Sequence, residues 1–177
     1  MEKIEAIVMC ELGRELSQPP SDLTRDAVVE ISSALRVLLA DAFALYIKTK
    51  NFHWHMSGVH FRDHHLLLDE QADQIFAMTD DIAERARKIG GNTIRSIGDI
   101  ARHQRIRDND EPEVGPRDML EELCVDSRHM TGCLRSTHDL CERYTDVATA
   151  SFIETWIDQT ERRSWFLFES ARSLKAS

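Results

Sequence analysis

Apolar positions recur at intervals of three and four residues over most of the chain, and four long helices account for the recurrence. The first is marked by Val28, Ile31, Leu35, Leu39, Ala42 and Tyr46. It is expected to start at Ser21 or Asp22, either an adequate N-cap, and to run to about Met56, where Ser57-Gly58 ends it. A second helix is predicted over roughly 60–89. Its apolar stripe is Leu68, Ala72, Ile75, Ile82, Ala86 and Ile89, and Gly90-Gly91 gives a strong stop. Residues 92–114 carry no long helical pattern, although Ile94, Ile97 and Ile100 could support a short helix. Gly115-Pro116 reopens a third helix, to about Arg143, with Asp118, Glu121 and Glu122 near its positive end. A fourth, from about Ala148 to Leu174, carries Ile153, Trp156, Ile157, Thr160, Leu167 and Leu174. The connections are short, long and short in turn. They predict an all-α four-helix bundle with one long crossover between its second and third helices, the ferritin-like connectivity.

Residues 1–21 read as an N-terminal extension, closed by Pro19-Pro20, and 22–177 as the bundle domain. A weak pattern at Ile4, Ile7, Val8 and Leu12 could add a short helix to the extension. Seven glycines and four prolines are too few for an all-β sandwich. No apolar run approaches the roughly 20 residues a membrane span needs, and no secretory signal is expected. The net charge of −9 disfavours sequence-independent nucleic-acid binding and suits attraction of cations. Cys10, Cys124, Cys133 and Cys141 form no C-x-x-C pair, so reduced thiols in a cytoplasmic protein are expected.

The second helix also carries a polar sector that its solvated face does not explain. His65 and Asp69, then Asp80 and Glu84, are each spaced i, i+4 and share an arc of roughly 100°. At about 1.5 Å per residue, Asp69 and Asp80 are roughly 16 Å apart, and His65 and Glu84 nearly 30 Å. No single metal ion spans such distances. If these residues share a site, an antiparallel second copy must bring Asp80 and Glu84 to His65 and Asp69. Any one of these carboxylates, taken alone, is as well explained as surface charge. Imidazole and carboxylate together suit iron(II), and the lack of thiolate argues against structural zinc.

The wider run is Asn51-Phe52-His53-Trp54-His55-Met56-Ser57-Gly58, Phe61, His65-x-x-x-Asp69, and Asp80-Asp81-Ile82-Ala83-Glu84-Arg85-Ala86 up to Gly90-Gly91. It closely resembles the Dps family, the DNA-binding proteins from starved cells or miniferritins. The resemblance is dense over the first two helices and spans most of residues 22–174. It implies a ferritin-like four-helix bundle assembled as a dimer-based dodecameric shell, with ferroxidase centres at the dimer interfaces. His53, His65 and Asp69 would come from one subunit, and Asp80 and Glu84 from its two-fold mate. Bound Fe(II) would be oxidised, with hydrogen peroxide as favoured oxidant, and ferric mineral stored inside. Asp69 and Glu84 would be the main carboxylate anchors and Asp80 a weaker ligand. Ferritins proper use Glu-x-x-His pairs within one bundle, and this chain has none.

Neighbouring residues carry weaker expectations. Trp54 is most simply a core or interface aromatic, and the resemblance adds a possible role as electron donor. His55, His60 and His64 read as surface or supporting residues. Asp139, Glu142 and Asp146 either line a three-fold iron-entry pore or form a solvated face. The alternative function is DNA compaction, which in the family often uses lysine-rich termini. Here Lys3 and Arg14 stand against Glu2, Glu5, Glu11, Glu15 and Asp22, and the far end offers only Arg172 and Lys175. The phosphate-binding term is thin.

Overall fold

The computed structural model describes residues 21–174. The expected boundary of the extension and the expected short helix at Ile4–Leu12 lie outside these residues or at their edge. The described chain is all-α: α1 (Arg25–His55), α2 (Phe61–Lys88), α3 (Ile97–His103), α4 (Pro116–Arg143) and α5 (Val147–Ser173). Helices α1 and α2 pack as one antiparallel pair and α4 and α5 as another. The pairs join mainly through α1 and α4, while α2 and α5 touch sparsely. None of the described helices is long and apolar enough to cross a membrane.

The start of α1 is later than expected. Thr24, with extended backbone, is the N-cap, and its hydroxyl accepts from Ala27 N at 3.3 Å. The Ser21 hydroxyl instead accepts from Leu23 N in the approach. α1 carries more than one buried stripe: Leu35, Leu38, Leu39, Ala40 and Ala42 are all buried because three elements surround its middle. The predicted stripe of α2 is buried throughout, from Leu68 to Ile89. Gly90, at φ 93°, takes the left-handed turn after α2. The next residue, Gly91, passes so close to α1 that an added Cβ would lie 2.1 Å from Ser32 Cβ.

Three buried charged residues, Asp41, Lys48 and Asp146, anchor the ion pairs that fix the crossover and the bundle ends. Asp41 on α1, fully buried, accepts from Arg105 N and Nη2 at 2.6 Å and from Arg105 Nε at 2.9 Å. That clamp holds the segment after α3 against α1. Lys48, also buried, joins α1 to α4 through Glu122 at 2.9 Å and Asp126 at 2.7 Å. Arg85 near the end of α2 reaches Asp146 at 2.7 Å, tying α2 to the N-cap of α5.

Candidate metal centre

The turn over residues 56–60 reverses the chain and lays the last turn of α1 beside the first turns of α2. His53 and His65 meet there as a stacked pair, ring centroids 3.7 Å apart. Each Nδ1 donates to the other residue's backbone carbonyl: His53 to His65 O at 2.8 Å, His65 to His53 O at 2.9 Å. A carbonyl only accepts, so Nδ1 carries a proton in both rings, and in the neutral form of each ring the lone pair lies on Nε2. This is the tautomer a metal requires, set by outer hydrogen bonds as in metal-ligating histidines generally. Phe61 packs on His65 with centroids 5.0 Å apart, and His53 is buried.

Asp69, one turn along α2, brings Oδ1 to 3.7 Å from His53 Nε2. These three residues therefore gather at one end of the α1–α2 pair, without their donor atoms all lying within 4.8 Å of one another. Lys50, which sequence reasoning passed over, already occupies the carboxylate: its Nζ lies 2.5 Å from Asp69 Oδ1 and 3.8 Å from Asp73 Oδ1. The Lys50 ammonium holds the Asp69 carboxyl below the usual carboxylate range, and Asp69 in turn raises the lysine. No spacing rule links positions 50 and 69, because the contact depends on how the turn closes.

Asp80 and Glu84 are exposed farther along α2 and reach none of the other three residues. Glu84 is paired instead with Lys88 at 2.8 Å, which holds its carboxyl low. Around the histidine end, Trp54 is 62% exposed and Val59 99%, with Phe61 and Leu66 also open, a group of apolar side chains left in water. The remaining histidines do not join the pair. His55 Nδ1 donates to Asn51 O at 2.8 Å, and His64 is buried, which pushes its pKa down.

Among the described residues, only His138, Asp139 and Glu142 place three donor atoms all within 4.8 Å of one another. They lie late in α4, where Asp139 and Glu142 were expected as pore residues. His138, not anticipated, also faces Glu154 of α5 at 3.2 Å. Asp146 does not belong with them. It is buried, accepts from Thr149 N at 3.0 Å as the N-cap of α5, and is paired with Arg85. An N-cap carboxylate engaged in this way is a structural group and is not available to line a pore.

This bundle and its donor set define a class. Residues 32–175 match the family of the ferritin-like domain, and the chain belongs to that family. Within it the chain is a Dps-family miniferritin. It is 28% identical over 137 residues to "DNA protection during starvation protein 1" of Deinococcus radiodurans, a match covering 77% of this chain and 66% of that protein, slightly under two thirds of its length. It is 24% identical over 133 residues to "DNA protection during starvation protein" of Helicobacter pylori, covering 75% of this chain and 92% of that one. Among solved structures, DpsC from Streptomyces coelicolor superposes with a TM-score of 0.82 at 27% identity, covering 87% of this chain and 90% of the other.

Proposed function

We propose that this Dps-family chain is a ferroxidase and iron store, acting through sites shared between two antiparallel copies. The observation that carries the reading is the reciprocal histidine pair, in which both Nδ1 atoms are engaged by backbone and Nε2 is left as the ligating nitrogen, with His53 Nε2 beside the Asp69 carboxylate. Fe(II) is the substrate. His53, His65 and Asp69 of one copy bind it, and Asp80 and Glu84 of the mate complete the donor set. The exposed apolar residues at the same end, Trp54, Val59, Phe61 and Leu66, support a face that a second copy covers. Trp54 belongs to that covered face.

Hydrogen peroxide is the oxidant in this reading. Two Fe(II) ions each give up one electron, the O–O bond breaks, and two protons are taken up to leave two waters. The Fe(III) product hydrolyses, releases protons and grows as mineral within a dodecameric shell, in the cytoplasm, limiting oxidative damage. Asp139 and Glu142, with His138, supply a cation-attracting entry to that shell. DNA compaction is the weaker reading, since the net charge is −9 and the termini hold few basic residues.

The test is a Fe(II) oxidation assay with peroxide on a His65→Ala, Glu84→Ala double variant, following ferric absorbance. The expected outcome is a loss of at least about tenfold in rate, the lower end for removed metal ligands and their supports. An unchanged rate contradicts the assignment.

A further inference from the structure

The last turns of α4 gather metal-type donors within a single chain. His138, Asp139 and Glu142 each offer one ligand atom, an imidazole nitrogen and two carboxylate oxygens, and the three atoms lie within 4.8 Å of one another. Positions 138 and 142 are one helical turn apart and share a face, with 139 beside them. Among the described residues, Asp139 and Glu142 form no ion pair with a lysine or arginine. Arg135, one turn before Asp139, is paired with Glu161 of α5 instead.

Two carboxylates at a helix end would by themselves be ordinary surface charge. Two features set this group apart. One is the imidazole: the His138 side chain is only 18% exposed, although both carboxylates reach solvent. The other comes from a second helix. Glu154 of α5 brings Oε1 to 3.2 Å from His138 Nε2. A carboxylate against the ring is the companion that metal-bound histidines almost always have, fixing the imidazole and raising its basicity.

We infer that His138, Asp139 and Glu142 bind a transition-metal dication of the zinc class, with Glu154 as the carboxylate that orients His138. Bonds of about 2.0–2.2 Å to nitrogen and oxygen put neighbouring ligand atoms roughly 3–3.5 Å apart, so small side-chain rotations close this group on an ion. An imidazole in the set selects such metals over magnesium and calcium, which take oxygen ligands. Three protein donors leave positions for water, and no residue of a second copy is needed. The ion neutralises the two carboxylates and, through His138 and Glu154, holds the end of α4 to α5. Any part it plays in iron entry rests on the proposed function; its binding does not.

Zinc(II) alone is the probe, on the metal-free, full-length His65→Ala, Glu84→Ala variant, whose proposed iron centre is already impaired. Adding His138→Ala should weaken binding of one zinc per chain by at least about tenfold, and adding Glu154→Gln by about tenfold, in equilibrium dialysis. Crystals soaked in zinc should show an anomalous peak bounded by His138, Asp139 and Glu142 that excess magnesium does not remove. Zinc binding unchanged by His138→Ala, an empty cluster in the soaked crystals, or displacement by magnesium overturns the inference. So does binding at crystal concentration only, meaning a peak without His138-dependent binding in solution. Iron oxidation by the same double variant tests the ferroxidase reading separately.

Discussion

The histidine pair is a two-residue device in which each ring fixes the other's proton. His53 O lies in the last turn of α1, where carbonyls are left free to accept, while His65 O, in the second turn of α2, accepts through its second lone pair. The weak point of the arrangement is Lys50, which competes with a cation for Asp69 Oδ1. Replacing Lys50 by Met keeps the aliphatic stem but removes the competing ammonium. Fe(II) titration of that variant should show binding tightened, by about severalfold. Weaker binding would instead make Lys50 a supporting residue. The candidate donors on α2 stood out in the sequence because i, i+4 spacing places His65 with Asp69, and Asp80 with Glu84, on one face. Lys50, the tautomers and the burial of Asp146 did not, since each depends on contacts between elements that spacing along one helix does not encode.

The cysteines belong to the same scale. Burial pushes the Cys141 thiol up to about 12, with Asp146 adding to the effect and Arg85 opposing it. Thiolate, the reactive form, is then scarce at neutral pH. Iodoacetamide at pH 8 should leave Cys141 unmodified in the native protein and label it after denaturation, as read by peptide mass mapping. Rapid native labelling would contradict the packing around the end of α4.

At the scale of elements, the helices were legible because their stripes are long and their stops are strong. Pro116 and Gly90-Gly91 mark boundaries through fixed φ, positive φ and close packing. The start of α1 was not legible, because Ser21, Asp22 and Thr24 are all competent caps and only the course of the approaching chain selects Thr24. Two glycines separate turn function from mere tolerance. Gly91→Ala drives a Cβ into Ser32 and should destabilise the fold by about 1–3 kcal/mol, as overpacking does. Gly132→Ala, inside α4 with nothing within 4 Å of the new Cβ, should stabilise by up to about 1 kcal/mol. Chemical denaturation of the two variants should therefore give shifts of opposite sign, and shifts of the same sign would contradict the close approach of this turn to α1.

For the whole molecule, the central proposal is that one copy holds an incomplete set of donors. His53, His65 and Asp69 gather at one end of α2, while Glu84 lies a little over five turns from His65 by the rise of a helix, roughly 28 Å. The bundle and its crossover were legible in the chain; a second copy is the proposal that the spacing along α2 motivates, and the size of the assembly came from resemblance alone. A complementation experiment tests that proposal most directly. His65→Ala and Glu84→Ala subunits, each deficient alone, are mixed, dissociated and reassembled, and Fe(II) oxidation by peroxide is measured. In a shared two-fold site, half of randomly formed dimers are mixed and each has one intact centre. The account therefore predicts recovery of about one quarter of wild-type activity. No recovery in verified mixed dimers would place the donors within single chains and contradict it.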